Sequence, residues 1–319
     1  MSSPVPTAKQ QRALVRAKRL YSSRAGIRGV DLGYLYRAGR RARTLGIRFH
    51  LERKKAPSNV TGAELLPKEI DGIPCDVVEA SYMPHANINP RDEIDPVCAG
   101  ISVGNLPRRT AGTLGAFVAE RHSGTIAVLS NWHVLVGSSD ALSDEPIIQP
   151  AGNFLGPNPA RPMATLTRWL DLDNGYDAAI ATVAEEVELA NHQANLDLAI
   201  AEVAEPQLGM RLVKSASISG VTHGIVDGVA GSYPINYERF GGGTRWMQGI
   251  RIVPDPDDPV SEVSLSGDSG AVWIDRDSGR AVALHFGGED HLTPLYEYAL
   301  AHPLQAVLDQ LNVDLLTGN

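Results

Sequence analysis

Downstream of residue 100 the chain is built from short apolar runs separated by turn residues. GTLGAFVAE, GTIAVLSNWHVLVG, MATLTRWLDL, DAAIATV, RLVKSASISGV, HGIVDGV, GIRIV, GAVWID and RAVALHF follow in that order. Runs of this length at roughly 8–12-residue spacing predict an all-β sandwich or barrel. Residues 185–205, EEVELANHQANLDLAIAEVAE, interrupt the rhythm and are expected to be an acidic helix or loop between two halves. At the end, HPLQAVLDQLNVDLL changes period. Leu304, Val307, Leu308 and Leu311 lie at i, i+3, i+4 and i+7, and Pro303 suits a first helical position, so a helix is predicted over 303–312.

The first hundred residues read differently. Residues 8–20 are dominated by Ala, Leu, Arg, Lys and Gln without Gly or Pro, which predicts a helix. Gly26, Gly29, Gly33, Gly39 and Gly46 then break the pattern, GIRFHLERKKAPS reads as a strand and a turn, and LLPKEIDGIPCDVVEA as a loop, an Asp-Gly turn and a strand over 75–80. SYMPHANINPRDEIDP reads as a linker. The expected division is therefore a basic helical arm with a small α+β region (1–82) and a larger β domain (83–319).

Composition agrees with a folded, turn-rich β protein: of 319 residues 43% are hydrophobic, and there are 31 Gly and 21 Pro. Two scattered cysteines, Cys75 and Cys98, make neither a disulfide framework nor a zinc site, although one bridge between them is allowed. The N-terminal MSSPVPTAKQQRALVRAKRL lacks an apolar core of signal-peptide length, and no run approaches the ~18 apolar residues of a membrane span, so a cytoplasmic protein without a membrane span is expected. The net charge of −8 is uneven: residues 1–55 hold 15 Lys and Arg against 2 Asp and Glu, and the rest hold 14 against 35. A basic arm on an acidic body calls for an acidic partner. The favoured reading is a helix packed on that body or on a sister subunit of a homo-oligomer, ahead of nucleic acid, because no aromatic-rich RNA-binding motif accompanies the charge.

The stretch SLSGDSGAVW (264–273) raises the question of chemistry. A serine hydroxyl is a weak nucleophile unless an adjacent base takes its proton and a third group orients that base. For Ser269 the candidate base is His133, which follows an apolar strand in TIAVLSNWHVLVG. The candidate orienter is Asp177, at the mouth of the apolar strand in NGYDAAIATV, where a carboxylate entering a core must be paired. Asp171 and Asp173 compete with it but lie in a more polar turn.

The order His133, Asp177, Ser269 is that of one peptidase class. LSNWHVL, YDAAIA and SGDSGAVW resemble the histidine, aspartate and serine motifs of the trypsin-like (chymotrypsin-fold) serine peptidase superfamily. AGTLGAFV, EPIIQPAG, RLVKSASISGVTHGIV and the final helix match in order, so the resemblance covers most of residues 49–316. The leading HLERKK…LPKEIDGIPCDVVE resembles a cytosolic bacterial and plant subgroup that includes the plant narrow-leaf protein. The resemblance implies an all-β fold with peripheral helices: two antiparallel six-stranded β-barrels, about 100–184 and about 206–300, with the site in the cleft between them.

It also implies the roles. Ser269 attacks a peptide carbonyl, His133 moves the proton, Asp177 holds the imidazole, and the backbone N–H groups of Gly267 and Ser269 form the oxyanion hole. Ala271 departs from the second glycine of many relatives without harm, being small. In secreted precursors of the superfamily the aspartate before the serine pairs with a newly cut N-terminus. No matching activation sequence precedes AGTLGAF, so Asp268 is expected to find an internal cation or amide, with Arg108, Arg109 and Lys214 as unranked candidates, or to cap its own turn, or else something other than Asp268 switches the site. For the substrate pocket the resemblance points to Val263 as floor, Ser264 and Ser266 as flanks, and His285, Phe286 and Gly287 as a wall. An apolar floor favours small or apolar residues before the cut, whereas a His285-lined wall favours acidic ones. The implied partner is a protein or peptide substrate, with narrow or regulated specificity and a signalling or phage-defence setting. The alternatives are a peptidase-fold binding scaffold with a latent site and a nucleic-acid-responsive protein using the basic arm. No metal or cofactor is expected: HANINPRDEID lacks EF-hand spacing, and GGG (241–243) lacks the lysine and helix of a phosphate loop.

Overall fold

A computed structural model describes residues 5–24, 26–37, 40–51, 65–80, 87–151, 161–196, 198, 200, 202–257, 262–289 and 297–317. The chain divides into two compact units, residues 1–86 and 87–319. The expected boundary near residue 82 lies outside the described residues.

The first unit opens with the predicted helix, α1 (Ala8–Tyr21), capped reciprocally by Thr7 and Gln10 and ending in Lys18 and Arg19, which oppose the negative end of its dipole. Strands β1 (Ile27–Arg37), β2 (Arg40–Leu51), β3 (Glu69–Ile70) and β4 (Ile73–Glu79) form one sheet in the order β1-β2-β4-β3. Reading Gly29, Gly33 and Gly46 as breaks is overturned, because they lie within the long β1–β2 ladder, whereas Gly26, at φ 86°, stands in the turn before β1 and Gly39 lies outside the described residues. Gly46 is needed there for close approach: a Cβ would sit 2.5 Å from the Pro74 carbonyl oxygen. Ala13 and Ala17 of the helix meet Ile47, Phe49, Ile70 and Ile73 of the sheet in a small core.

The second unit begins with β5 (Val97–Ala99), β6 (Ser102–Asn105), β7 (Gly112–Thr113), β8 (Ala116–Glu120), β9 (Ile126–Ser130), the one-turn helix α2 (Trp132–Leu135), β10 (Pro146–Gln149), β11 (Arg161–Trp169), β12 (Ala179–Val183) and β13 (Leu189–Gln193). It continues with β14 (Arg211–Ala216), β15 (Gly220–Asn236), β16 (Thr244–Val253), β17 (Val272–Asp275), β18 (Ala281–Gly288), β19 (Ala299–Pro303), α3 (Leu304–Leu311) and β20 (Val313–Leu315). One antiparallel sheet runs β6-β10-β11-β12-β9-β8, with the short β7 and β20 at its two ends. The other six, β14-β15-β16-β19-β18-β17, close into a barrel. Within 185–205 the described residues hold strand β13, paired parallel to β5, and loops in place of an acidic helix. No helix among the described residues is long and apolar enough to cross a membrane.

Three features of this frame position the site. The predicted C-terminal helix buries Leu304, Val307, Leu308 and Leu311 in a cluster with Val118, Leu129 and Ile180 of the first sheet and Val272, Ile274 and Leu284 of the barrel. That cluster fastens the two sheets together. The β15–β16 hairpin pairs continuously from Gly231 to Asn236, so its tip projects well beyond the barrel strands it grows from. The sheet and barrel strands are otherwise short, so the loops between them start from rigid, buried ends.

Phe117, 1% exposed in the first sheet, tests how tightly this frame is packed. Phe117→Ala is expected to lower the unfolding free energy by about 3–5 kcal/mol in chemical denaturation. A loss well under 1 kcal/mol would mean that the sheet is loosely packed around it.

Candidate active site

Strand β9 ends at Ser130, and Asn131 turns the chain from extended backbone into α2. Of residues 131–136 only His133 is not buried, because Trp132, Val134, Leu135 and Val136 enter the core around it. The turn is thus held by its apolar members, which leaves the imidazole at a surface. Asp177 arrives from a second turn. The Asp171 carboxylate accepts from the Asp173 N–H at 3.0 Å, and Gly175 closes the turn at φ 79°. Asp171 is spent on this cap and Asp173 pairs with Arg245 at 2.7 Å, so neither reaches His133.

The Asp177 carboxylate is fully buried. His133 Nδ1 lies 2.5 Å from Oδ2, and the His133 backbone N–H donates to Oδ1 at 3.1 Å. The Tyr237 hydroxyl, from the tip of the β15–β16 hairpin, donates to Oδ2 at 2.7 Å. The Asp177 backbone is pinned as well: its carbonyl accepts from Asn131 Nδ2 at 2.7 Å, and its N–H donates to His302 Nε2 at 3.0 Å. Because Nε2 accepts, His302 carries its proton on Nδ1, which donates to the Gln248 carbonyl at 2.5 Å. Burial alone would raise the Asp177 carboxyl, but His133 and Tyr237 outweigh it and hold the group below the ordinary carboxylate range.

Ser269 sits in a turn between Gly267 at φ 105° and Gly270 at φ 96°. A Cβ on Gly270 would lie 2.2 Å from the Thr113 carbonyl oxygen, so only glycine fits. The Ser269 carbonyl accepts from Thr113 N–H at 2.7 Å, which ties this turn to the first sheet. Among the described residues the N–H groups of Gly267 and Ser269 have no acceptor, and the Ser269 hydroxyl has no hydrogen-bond partner. His133, Gly267 and Ser269 line one cleft of about 710 Å³.

Asp268, next to the serine, is fully buried against Lys214, with Nζ 2.8 Å from Oδ2 and both side chains at 0% exposure. Its carboxylate also accepts from Ser219 N–H at 3.0 Å and Leu265 N–H at 3.0 Å, and Lys214 donates to Ser219 Oγ at 2.9 Å. Of the three cations considered for Asp268, Lys214 is the one that reaches it. Arg108 is engaged with Asp140 and Glu145, and Arg109 is exposed on the cleft. Burial would raise the Asp268 carboxyl, but the Lys214 charge outweighs it and keeps the group ionised.

Ser264, Ser266, His285, Phe286 and Gly287 line the same cleft as Ser269. Val263 does not, which overturns its expected role as a pocket floor. It is 0% exposed and packs in the barrel core with Leu212, Ile252 and Trp273, its N–H held by Glu297 at 2.8 Å. His285 is 2% exposed and packs edge-on to Trp273, and its Nδ1 has no partner among the described residues. Burial, aided by the nearby Lys214 ammonium, pushes its pKa down to about 3, so this wall of the cleft is a neutral imidazole.

Tyr237 and His302 escaped the sequence reading. Tyr237 lies 60 residues from Asp177 in a stretch without a motif, and His302 lies 125 away, immediately before the predicted final helix, whose pattern marks no site residue; only the folded hairpin and β19 bring them to Asp177. Among the described residues no group of His, Cys, Asp and Glu side chains is arranged to hold a metal ion.

No family model matches the chain, and no curated protein matches its sequence. Solved structures do. A Nocardiopsis protease is similar with a TM-score of 0.50 and 16% identity, over 69% of this chain and 99% of its own. Thermobifida fusca protease A gives 0.49 and 15% over 70% and 100%, and an α-lytic protease homologue, N4, gives 0.49 and 15% over 69% and 99%. The chain has the double β-barrel fold of trypsin-like, chymotrypsin-fold serine proteases. At 16% identity the likeness concerns the fold alone.

Two predictions follow from the buried charges. Lys214→Met leaves the buried Asp268 carboxyl without its cation, so that it must stay charged and unpaired or take up a proton, and is expected to cost about 3–5 kcal/mol in chemical denaturation. Adding Asp268→Asn should restore most of that loss, and an unaltered midpoint in the single variant would contradict the pairing. The second concerns acid. His285 and His302 are held by burial at about 3 and about 4, below the ordinary 6.5, so the unfolded chain binds protons that the folded chain refuses. Stability present above pH 6.5 is therefore lost as the pH falls from there toward 4. Asp177 and Asp268, both lowered from 3.8, add a second loss only below that value. Denaturation midpoints that stay flat between about pH 6.5 and about pH 4.5 would refute the first stage.

Proposed function

We propose that the protein is a serine endopeptidase working through an acyl-enzyme, with Ser269 as nucleophile, His133 as general base and acid, and Asp177 as the group that orients His133. The observation that carries this reading is the shared cleft. It holds an imidazole anchored to a buried carboxylate, a serine hydroxyl with no competing partner among the described residues, and two backbone N–H groups likewise without acceptors.

In this reading Ser269 Oγ attacks the carbonyl carbon of a peptide bond while His133 Nε2 takes the hydroxyl proton. Charge develops on the carbonyl oxygen, where the N–H groups of Gly267 and Ser269 receive it, each worth about 3 kcal/mol in the transition state. The imidazolium is stabilised by Asp177 and gives its proton to the leaving amine nitrogen. Water then attacks the ester through the same base, and Ser269 regains its proton.

The Lys214–Asp268 pair supports a loop whose shape comes from within the chain, so that shaping it requires no new N-terminus. The neutral His285 and the hydroxyls of Ser264 and Ser266 offer hydrogen bonds but no fixed charge to the side chain before the cut. This supports narrow specificity for small or neutral residues over strongly charged ones. The two free thiols, Cys75 and Cys98, support a cytoplasmic setting, in keeping with the resemblance of the leading region to the cytosolic subgroup.

A fluorophosphonate probe tests the reading. Wild type is expected to be labelled, and Ser269→Ala and His133→Ala are expected not to be. Absence of labelling in the folded wild type would favour a peptidase fold that serves as a binding scaffold with a latent site.

A further inference from the structure

Among the described residues, the Tyr237 hydroxyl is the one hydrogen-bond donor to the Asp177 carboxylate that comes from the second barrel. The carboxylate is fully buried, and among the described residues it has three donors: the His133 ring, the His133 backbone N–H and the Tyr237 O–H. The first two belong to the turn that the carboxylate is meant to orient. They move with His133 and cannot by themselves fix where the pair stands in the cleft. The third is independent of that turn.

Tyr237 is 2% exposed and is itself held firmly. Its N–H donates to the Gly243 carbonyl at 2.8 Å, and its ring stands edge-on to Trp132 at 6.4 Å. The hairpin tip that carries it is clamped to both first-barrel turns. Phe240 packs 5.6 Å from the His133 ring, Ser139 N–H donates to the Phe240 carbonyl, and Gln248 N–H donates to the Gly175 carbonyl in the turn before Asp177. Burial and the Asp177 charge keep the phenol protonated far beyond neutral pH, so it remains a donor.

We infer that Tyr237 is a positioning residue for the proposed reaction, fixing the Asp177–His133 pair through its hydroxyl. The inference rests on the peptidase reading for its kinetic consequence, but not for the hydrogen bond itself. A residue that only filled space between Trp132 and Phe240 would act through its ring, which Tyr237→Phe keeps.

Two measurements on the full chain separate these roles. In peptide hydrolysis Tyr237→Phe is expected to lower kcat by about tenfold to a hundredfold, the range of a hydrogen bond to a charged group, with KM unchanged. In proton NMR the His133 Nδ1–H resonance should move downfield, because the carboxylate has lost a competing donor. Should Tyr237→Phe fold poorly, a fluorinated tyrosine at 237 keeps the ring and strengthens the donor, and the same resonance should move upfield. Wild-type kcat together with an unmoved resonance in a folded variant would overturn the inference. The resonance is read equally well in Ser269→Ala, so a wild type without activity would sink the peptidase reading and leave this test standing.

Discussion

Two ionised carboxylates without solvent contact set the terms for this molecule. Asp177 and Asp268 are both fully buried, and a charge in that position is tolerated only when donors and counter-charges surround it. Each is satisfied by groups from distant segments. Asp177 takes its donors from α2 and the β15–β16 hairpin, and Asp268 takes its cation from β14 and an amide from the turn after it. The fold therefore cannot form its core without also assembling the two turns that flank the cleft. Stability and site geometry are one problem here, because the residues that neutralise the core are those that orient His133 and shape the loop of Ser269.

The histidines show the same economy with the opposite sign. His285 and His302 are buried and neutral, with pKa values pushed down to about 3 and about 4. As a neutral ring His302 can accept from the Asp177 N–H and donate to Gln248 at once, which a charged ring could not do. His285 lines the cleft in the same state, so it presents polarity without charge. His133, the one histidine of the site left partly exposed, is the one paired directly with a carboxylate. Burial thus divides three chemically identical side chains between scaffold, pocket wall and proposed base.

How much of this was legible in the sequence depended on range. The β texture after residue 100, the final helix and its buried face at Leu304, Val307, Leu308 and Leu311 are local patterns, and the structure holds them where the pattern put them. The proposed site residues His133, Asp177 and Ser269 could be picked out as candidates because each sits in a turn with its own chemistry: an apolar strand end, an Asn-Gly step, a pair of positive-φ glycines. Long strands punctuated by glycine were not. In β1 and β2 the glycines answer to close packing across the sheet, and a linear reading takes them for turns. Val263 failed for a related reason: counting back six residues from Ser269 gives a position but no direction, and the side chain turns into the barrel core. Tyr237 and Lys214 were respectively invisible and ambiguous, since the contacts that define them span 60 and 54 residues.

The hairpin tip shows what these long contacts achieve. A carboxylate oriented only by its own turn would follow every local fluctuation of that turn. Tyr237 instead ties it to a strand pair rooted in the closed barrel, the same barrel that carries Ser269. Thr113 closes the circuit from the other side, its N–H holding the Ser269 carbonyl and its hydroxyl donating to the Gly267 carbonyl. Each barrel thus holds the key turn of the other through a hydrogen bond, and α3 locks the two together with a shared apolar cluster. A reaction that needs a hydroxyl and an imidazole placed to within about 0.5 Å cannot leave that distance to two independently moving bodies. Reciprocal anchoring makes the cleft width a property of the whole second unit; the hairpin tip also lines the cleft through Asn236, Tyr237 and Phe240, whereas Thr113 does not, so a substitution at Thr113 acts on the cleft from outside its lining.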